Sequence, residues 1–410
     1  MVNRWIYVFA GLGANLILGT IYSWSVFRKP LEILLGWGSF ESGIPFSIFL
    51  LFFAICMPLG GRILKTYGTR RAVFLGALLV GGGWILSALT LETQSPLLYV
   101  ILFYGVMAGS GVALIYNSTI TVSSYWVPER RGLAVGLTVL GFGISPLITA
   151  PLANYLIAYQ GVKNSFIILG GIYGLILLAL SYLMVLPRLE ARGGQMGGSL
   201  QQSMGIREFT PGMMVRTKSF AGLWLAYVLG TLGGFIAISQ AAKFGQEVVR
   251  LSPGLAAVAT GVFAIFNGLG RPLFGYLADR VKINVVSSIS FLLAIAAALL
   301  ATQASSLTIY IISYSILWLV FGGWLALAPK ATSLFFGAQN LSVNYGIVFT
   351  AYGASALAGP TLSASLWELL GHYSPVFMTV AALSALGLAV SNLMLKPPAM
   401  PERKIPVKAR

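Results

Sequence analysis

Twelve apolar stretches, each about 20 residues long, constrain this chain more than any other feature. They fall at about 5–27, 42–62, 72–90, 97–124, 133–157, 165–186, 219–245, 255–278, 283–303, 307–329, 345–368 and 376–395. As helices, stretches of this length match the hydrocarbon core of a bilayer. Each closes its own backbone hydrogen bonds in lipid, which favours a helical bundle over a barrel. The first span is too long for a signal-peptide core and is expected to be retained. Of 410 residues, 57% are hydrophobic and only 9% charged, against about 25% charged in a soluble globular chain. With a mean hydropathy of +0.86, too few polar side chains remain to cover a water-exposed surface. A water-soluble enzyme is excluded. One cysteine, Cys56, forbids an internal disulfide, and one histidine, His372, leaves no His/Cys cluster. No metal or cofactor is expected. The net charge of +16 does not point to nucleic acid, because the basic residues lie between apolar spans rather than on one stripe.

Where those basic residues lie sets the orientation. With both termini cytoplasmic, twenty of the 26 Lys and Arg fall on the inside, among them Arg62, Lys65, Arg70, Arg71, Arg130, Arg131, Arg280, Lys282 and Lys330. Five fall outside, and Arg271 lies within a span. The longest polar stretch, 187–218, is too short for a domain. It reads as a cytoplasmic linker between a six-helix half at 1–186 and another at 219–396, with a cytoplasmic tail at 397–410. The halves also share a pattern. After the second span comes Gly61-Arg-Ile-Leu-Lys-Thr-Tyr-Gly68-Thr-Arg70-Arg71, and after the eighth comes Gly275-Tyr-Leu-Ala-Asp279-Arg280. Paired repeats around a central site are a common plan of secondary transporters.

Those two turns resemble the loop signature of the major facilitator superfamily, a glycine, an acid, a second glycine and two arginines. The first copy keeps Gly61, Gly68, Arg70 and Arg71 but has Lys65 where the acid stands. The second keeps Gly275 and Asp279, followed by Arg280. The glycines allow helices to approach closely, and the basic groups suit helix C-termini. Within that superfamily the chain is similar to the bacterial oxalate/formate antiporters and the animal monocarboxylate transporters. The carrying residues are Gly19-Thr-Ile-Tyr22-Ser-Trp24 in helix one, Tyr116 and Trp126-Val-Pro128-Glu-Arg-Arg131 around helix four, Asn267-Gly-Leu-Gly-Arg271-Pro272 in helix eight, and Asn344-Tyr345-Gly346 opening helix eleven. The resemblance implies twelve transmembrane helices in two halves and transport of small carboxylates. It matches Tyr22, Tyr116 and Phe321 to site-lining positions, with Trp324 nearby. Tyr352 stands where the oxalate carrier has a second cation, and Asn267 stands where the animal carriers have an aspartate implicated in proton coupling.

Arg271 is the most informative residue, roughly 10 Å deep from the inner end of its span at 1.5 Å per residue. Burying it costs at least about 2.5–3.5 kcal/mol at a helix centre. Its guanidinium stays protonated and offers a fork suited to one carboxylate. All ten acids map to loops, tails or helix ends, so none is placed to neutralise it at depth. Asn267, four residues earlier, shares its face without charge. Asn117, in a mid-helix polar patch, either lines the site or bonds a neighbouring helix. A membrane-embedded enzyme would need a buried acid–base pair or a metal cluster, and none is found. The expectation is a monomeric carrier in a prokaryotic inner membrane. Its substrate is a small monocarboxylate, lactate or pyruvate first, moved with protons as the resemblance implies. The alternative is an oxalate/formate-type anion exchanger.

Overall fold

A computed structural model describes residues 4–187, 208–304 and 306–398; most of the expected linker, and the tail from 399, lie outside the described residues. Among those described there are no strands, and the architecture is a bundle of twelve long helices. They are α1 Trp5–Leu35, α2 Ser39–Tyr67, α3 Thr69–Leu89, α4 Pro96–Trp126, α5 131–160, α6 162–181, α7 Lys218–Glu247, α8 Pro253–Arg280, α9 Ile283–Ala301, α10 Leu307–Phe336, α11 Leu341–Leu370 and α12 Ser374–Met394. Ten helical stretches are long and apolar enough to cross a membrane. The helical run Arg131–Ser181 counts once there, although Gly161, at φ 73°, breaks it into α5 and α6. α11 is outside the ten. Several of its polar groups turn toward α7 instead, where Ser355 bonds Thr231 and Ser363 accepts from Gln240.

Most helices run past the apolar stretches that announce them. α10 continues through Lys330 to Phe336 because the ammonium is paired with Asp279 rather than left to lipid. α1 extends to Leu35 and carries Arg28, whose Nε donates to Ser42 of α2. Midway along α1, Gly19–Ser23 tightens to a 3₁₀ turn. Any Cβ on Gly19 would strike the Phe142 carbonyl and Ser145 of α5. Turn glycines with positive φ stand at Gly68 (84°), before α3, and at Gly371 (71°), after α11.

Helices α1–α6 pack mainly on one another, as do α7–α12, and the two groups meet along two seams, α2 with α11 and α5 with α8. Glycine makes both seams possible. Gly61 and Gly346 lie against the backbone of Ser342 and Met57, and Gly132, Gly136 and Gly143 lie against Gly275, Arg271 and Gly268. If α1–α6 are overlaid on α7–α12, α2 answers to α8 and α5 to α11, so the second seam repeats the first with the groups exchanged.

Candidate substrate-binding site

Arg271 stands on α8, fully buried, where α5 crosses it. One terminal nitrogen donates to the Val139 carbonyl of α5 and the other to Asn267 Oδ1, at 3.3 Å. Its Nε has no hydrogen-bond partner. The guanidinium carbon sits 5.6 Å from the Phe142 ring centroid. None of the ion pairs among the described residues includes Arg271. A neutral amide, a carbonyl and an aromatic face therefore surround a charge that cannot be discharged by deprotonation.

The phenols gather beside it. Tyr22 packs edge-on against Phe142 and meets Tyr352 across the two helix groups, hydroxyl to hydroxyl at 2.7 Å. Arg271 lies within electrostatic reach of Tyr22 and Tyr116. Tyr116 packs on Phe142 at 5.5 Å and on Phe349 at 5.5 Å. Phe321 closes the α10 side, packed on Phe235 and Tyr352. The fold thus brings Arg271, Asn267, Tyr22, Tyr116, Tyr352 and Phe321 to one place. It turns two other residues elsewhere. The Asn117 amide donates to Met57 O and Ser342 O, strapping α2 to α11. The Trp324 indole N–H donates to Ser290 of α9, and its ring reaches the site only through Tyr227, at 6.1 Å. Sequence reasoning did not assign Phe53, Phe142, Tyr227, Tyr345 or Phe349 to the site. One signal was available. Tyr345, Phe349 and Tyr352 recur at helical spacing on one face of α11.

The end of the bundle carrying the loop signatures is closed. Gly61 abuts Ser342 and Val343, and Gly275 abuts Gly132. Asp279 accepts from the backbone N–H of Gly132 and Leu133, both at 2.9 Å, and from Lys330 at 2.7 Å. A carboxylate at the start of α5 is where an anion is favoured. At the other seam Lys65 donates to Asn340 Oδ1, at 2.6 Å, just before α11 begins. Glu208 supplies the carboxylate there, accepting from Ala338 N and Gln339 N. Arg70 stacks on Tyr182 and Arg280 on Tyr276, while Arg71 is exposed.

A helical bundle whose two groups meet around a buried cation, with one end closed, is an architecture that suits a membrane transporter. The family model described as the Major Facilitator Superfamily matches residues 5–329 and 223–409, and the chain belongs to that superfamily as a multi-pass membrane protein. It is 27% identical to the "Oxalate:formate antiporter" of Oxalobacter formigenes over 406 residues, covering 98% of this chain and 94% of that protein. It is 24% identical to "Monocarboxylate transporter 12" of Homo sapiens, over 79% of this chain and 67% of the relative. Among solved structures, the fold is similar to the fucose transporter FucP in its outward conformation (TM-score 0.73, 15% identity, 96% of this chain and 100% of that one). It is equally similar to the proton:xylose symporter XylE (TM-score 0.74, 14% identity, 96% and 97%).

Proposed function

We propose that the protein carries small monocarboxylates, lactate or pyruvate first, by alternating access of two six-helix halves, 1–186 and 219–396. In this reading 187–218 is a cytoplasmic linker, 397–410 a cytoplasmic tail, and all twelve helices span a prokaryotic cell membrane, with both termini inside and the protein monomeric. The Lys/Arg bias of the loops supports that orientation. The substrate sits at Arg271, Asn267, Tyr22, Tyr116, Phe321 and Tyr352, with Asn117 and Trp324 as supports. Gly61, Gly68, Arg70, Arg71, Gly275, Asp279 and Arg280 form the inner gate, closed in this conformer.

One observation carries the reading. Arg271 is buried with neutral partners only, and one anion would neutralise it. A second cation is missing from the position that resembles the oxalate carrier's lysine, where Tyr352 bonds Tyr22 instead. One cation fits one carboxylate, because a second carboxylate would be desolvated opposite a phenol. Proton symport is the coupling proposed. With no acid beside Arg271, the proton travels on the substrate carboxyl or through a helix-end acid such as Glu247 or Glu368. Uptake of labelled lactate into proteoliposomes, with and without an inward proton gradient, tests this. Stimulation by the gradient is expected, and uptake indifferent to it removes the symport. The alternative, oxalate/formate exchange, is favoured by the 27% identity to the antiporter over nearly the whole chain. It predicts uptake only into vesicles preloaded with formate or oxalate.

A further inference from the structure

Three buried phenols near Arg271 have hydroxyls without a hydrogen-bond partner: Tyr116 of α4, Tyr227 of α7 and Tyr345 of α11. Tyr116 is 1% exposed and the other two 0%. They are not scattered. All three rings pack on one residue, Phe349, with centroids at 5.5, 6.4 and 5.7 Å. The Tyr345 hydroxyl approaches those of Tyr116 and Tyr227 closely enough for a loose hydrogen-bonding interaction with each, but no pair among them closes to full hydrogen-bond geometry.

Tyr116 and Tyr227 match the depth of the cation, while Tyr345, four residues into α11, lies nearer the closed end. Arg271 lies nine residues before the end of α8, Tyr227 nine residues into α7, and Tyr116 ten residues before the end of α4. At 1.5 Å per residue each is about 13–15 Å from the closed end. Tyr345 sits one turn below Phe349 on α11. Tyr116 joins the two sets, because its ring also packs on Phe142, the ring that Arg271 faces.

Phenylalanine at these three positions would pack equally well without leaving a polar group unpaired. Hydroxyls kept in such a place have value if a polar group comes to them. In a 2-hydroxy or 2-keto acid the carbon-2 oxygen lies about 3 Å from the carboxylate oxygens, so an acid gripped at Arg271 carries that oxygen toward Tyr116 and its neighbours. A phenol donates and accepts, and therefore suits either a hydroxyl or a keto oxygen. Tyr22 and Tyr352 are less suited, since each already occupies the other.

We infer that Tyr116, Tyr227 and Tyr345 form a neutral subsite for the carbon-2 oxygen of a small carboxylate, selecting 2-oxygenated acids over unsubstituted ones. This rests on the reading of Arg271 as the carboxylate anchor. A site built to hydrogen-bond an oxygen rejects the analogue that lacks it, because the site's polar groups are then left unpaired.

Lactate and propionate differ by that oxygen alone, and their binding to the purified protein in nanodiscs can be compared by calorimetry. Wild type is expected to bind lactate about tenfold or more tighter than propionate. Tyr227→Phe and Tyr345→Phe are each expected to lose most of that preference, with propionate affinity kept within about twofold and thermal midpoints no lower than wild type. The inference is overturned if wild type binds both acids equally, or if both phenylalanine variants keep the full preference or weaken the two acids alike. Arg271→Gln separates the underlying reading. Propionate binding that survives it removes the anchor, whatever the phenols do. A wild type that binds neither acid removes both.

Discussion

Among the described residues Asp279 is the one acid that ties the two helix groups together through backbone, and Asp279→Asn isolates that tie. Its carboxylate is 8% exposed, its partner Lys330 14%. Two of its three bonds go to the N–H groups of Gly132 and Leu133 at the head of α5, and so cross between the groups. The third goes to Lys330 of α10, within its own group. When the closed end opens, the first two break and the third persists, so the lysine contact largely cancels between the two states. Hydrogen bonds to a charged group contribute about 1.5–3 kcal/mol, against about 0.5–1.5 for neutral pairs. An anion at a partly buried helix N-terminus adds up to about 2. An amide retains one acceptor oxygen and no charge. The closed end should lose about 2–3 kcal/mol relative to the open one, which at about 1.4 kcal/mol per decade is a 30- to 150-fold change in the ratio of states.

Spin labels at Phe40 and Leu369, 83% and 80% exposed at the far ends of α2 and α11, would read that ratio in a Cys56→Ala background. In the alternating access proposed above the far end closes as the signature end opens, so Asp279→Asn should transfer population from a long to a short inter-label distance. An unchanged distribution, or a shift toward longer distances, would show that Asp279 does not hold this conformer.

The remaining expectations are briefer. Arg271→Lys should lose most transport although it keeps the charge, because an ammonium lacks the two-pronged fork; near-normal lactate affinity in Arg271→Gln would sink the anchor. Tyr352→Lys puts a second cation beside Tyr22, so lactate uptake should fall and oxalate should compete relatively better. If oxalate already competes with labelled lactate as well as lactate itself does in wild type, selection by a single cation is wrong. Cys56 is half-buried with its Sγ 3.3 Å from Ser110 Oγ; polar maleimides should label it slowly and Cys56→Ala should transport normally, whereas rapid labelling blocked by substrate would place α2 on the pathway. At Gly61 a Cβ would come within 2.7 Å of Val343 Cα, with backbone on the facing side that cannot swing away. Gly61→Ala should therefore move the same spin-label distances in the same direction as Asp279→Asn, and identical distances in the two proteins would count against the glycine seam.

The spans were legible because lipid imposes one local rule on every segment: about 20 apolar residues closing their own hydrogen bonds. Arg271 was legible for the same reason, as the one cation that breaks the rule at depth. Which helix faces which was not written locally. Gly61 and Gly275 announced close approach, but their partners at Ser342 and Gly132 are set by how the two groups meet. Asn117 announced a buried polar group without saying what it bonds; its amide is spent on Met57 and Ser342. Trp324 was visible as an aromatic near the site, yet its N–H faces Ser290 on the far side of α10. Tyr227 was passed over because a tyrosine amid apolar residues reads as packing until its hydroxyl is seen to lack a partner.

Lys65 is the clearest case of a departure in sequence that only tertiary structure explains. A lysine where the signature has an acid would place a positive charge at the head of α11, whose N–H groups already favour an anion. The chain answers by geometry on both counts. Asn340 turns its amide oxygen to Lys65 and its amide nitrogen to the Phe209 carbonyl, so one side chain serves a donor and an acceptor. Glu208, 143 residues further along the chain than Lys65, brings its carboxylate to the N–H groups of Ala338 and Gln339. Phe209 follows it inward, 3% exposed and edge-on to Phe336. The two seams are therefore fastened differently. At α5 and α8 the acid reaches across the groups, and separation must break it. At α2 and α11 the acid comes from the segment before α7, bonds the turn between α10 and α11, and survives separation. What crosses there is an ammonium on a neutral amide, the Ser342 hydroxyl on the Gly61 carbonyl, and the Asn117 strap. The repeat in the sequence is thus symmetric in its glycines and asymmetric in its charges: among the described residues Asp279 is the one carboxylate that bonds across the closed end, beside the cations Lys65 and Arg131.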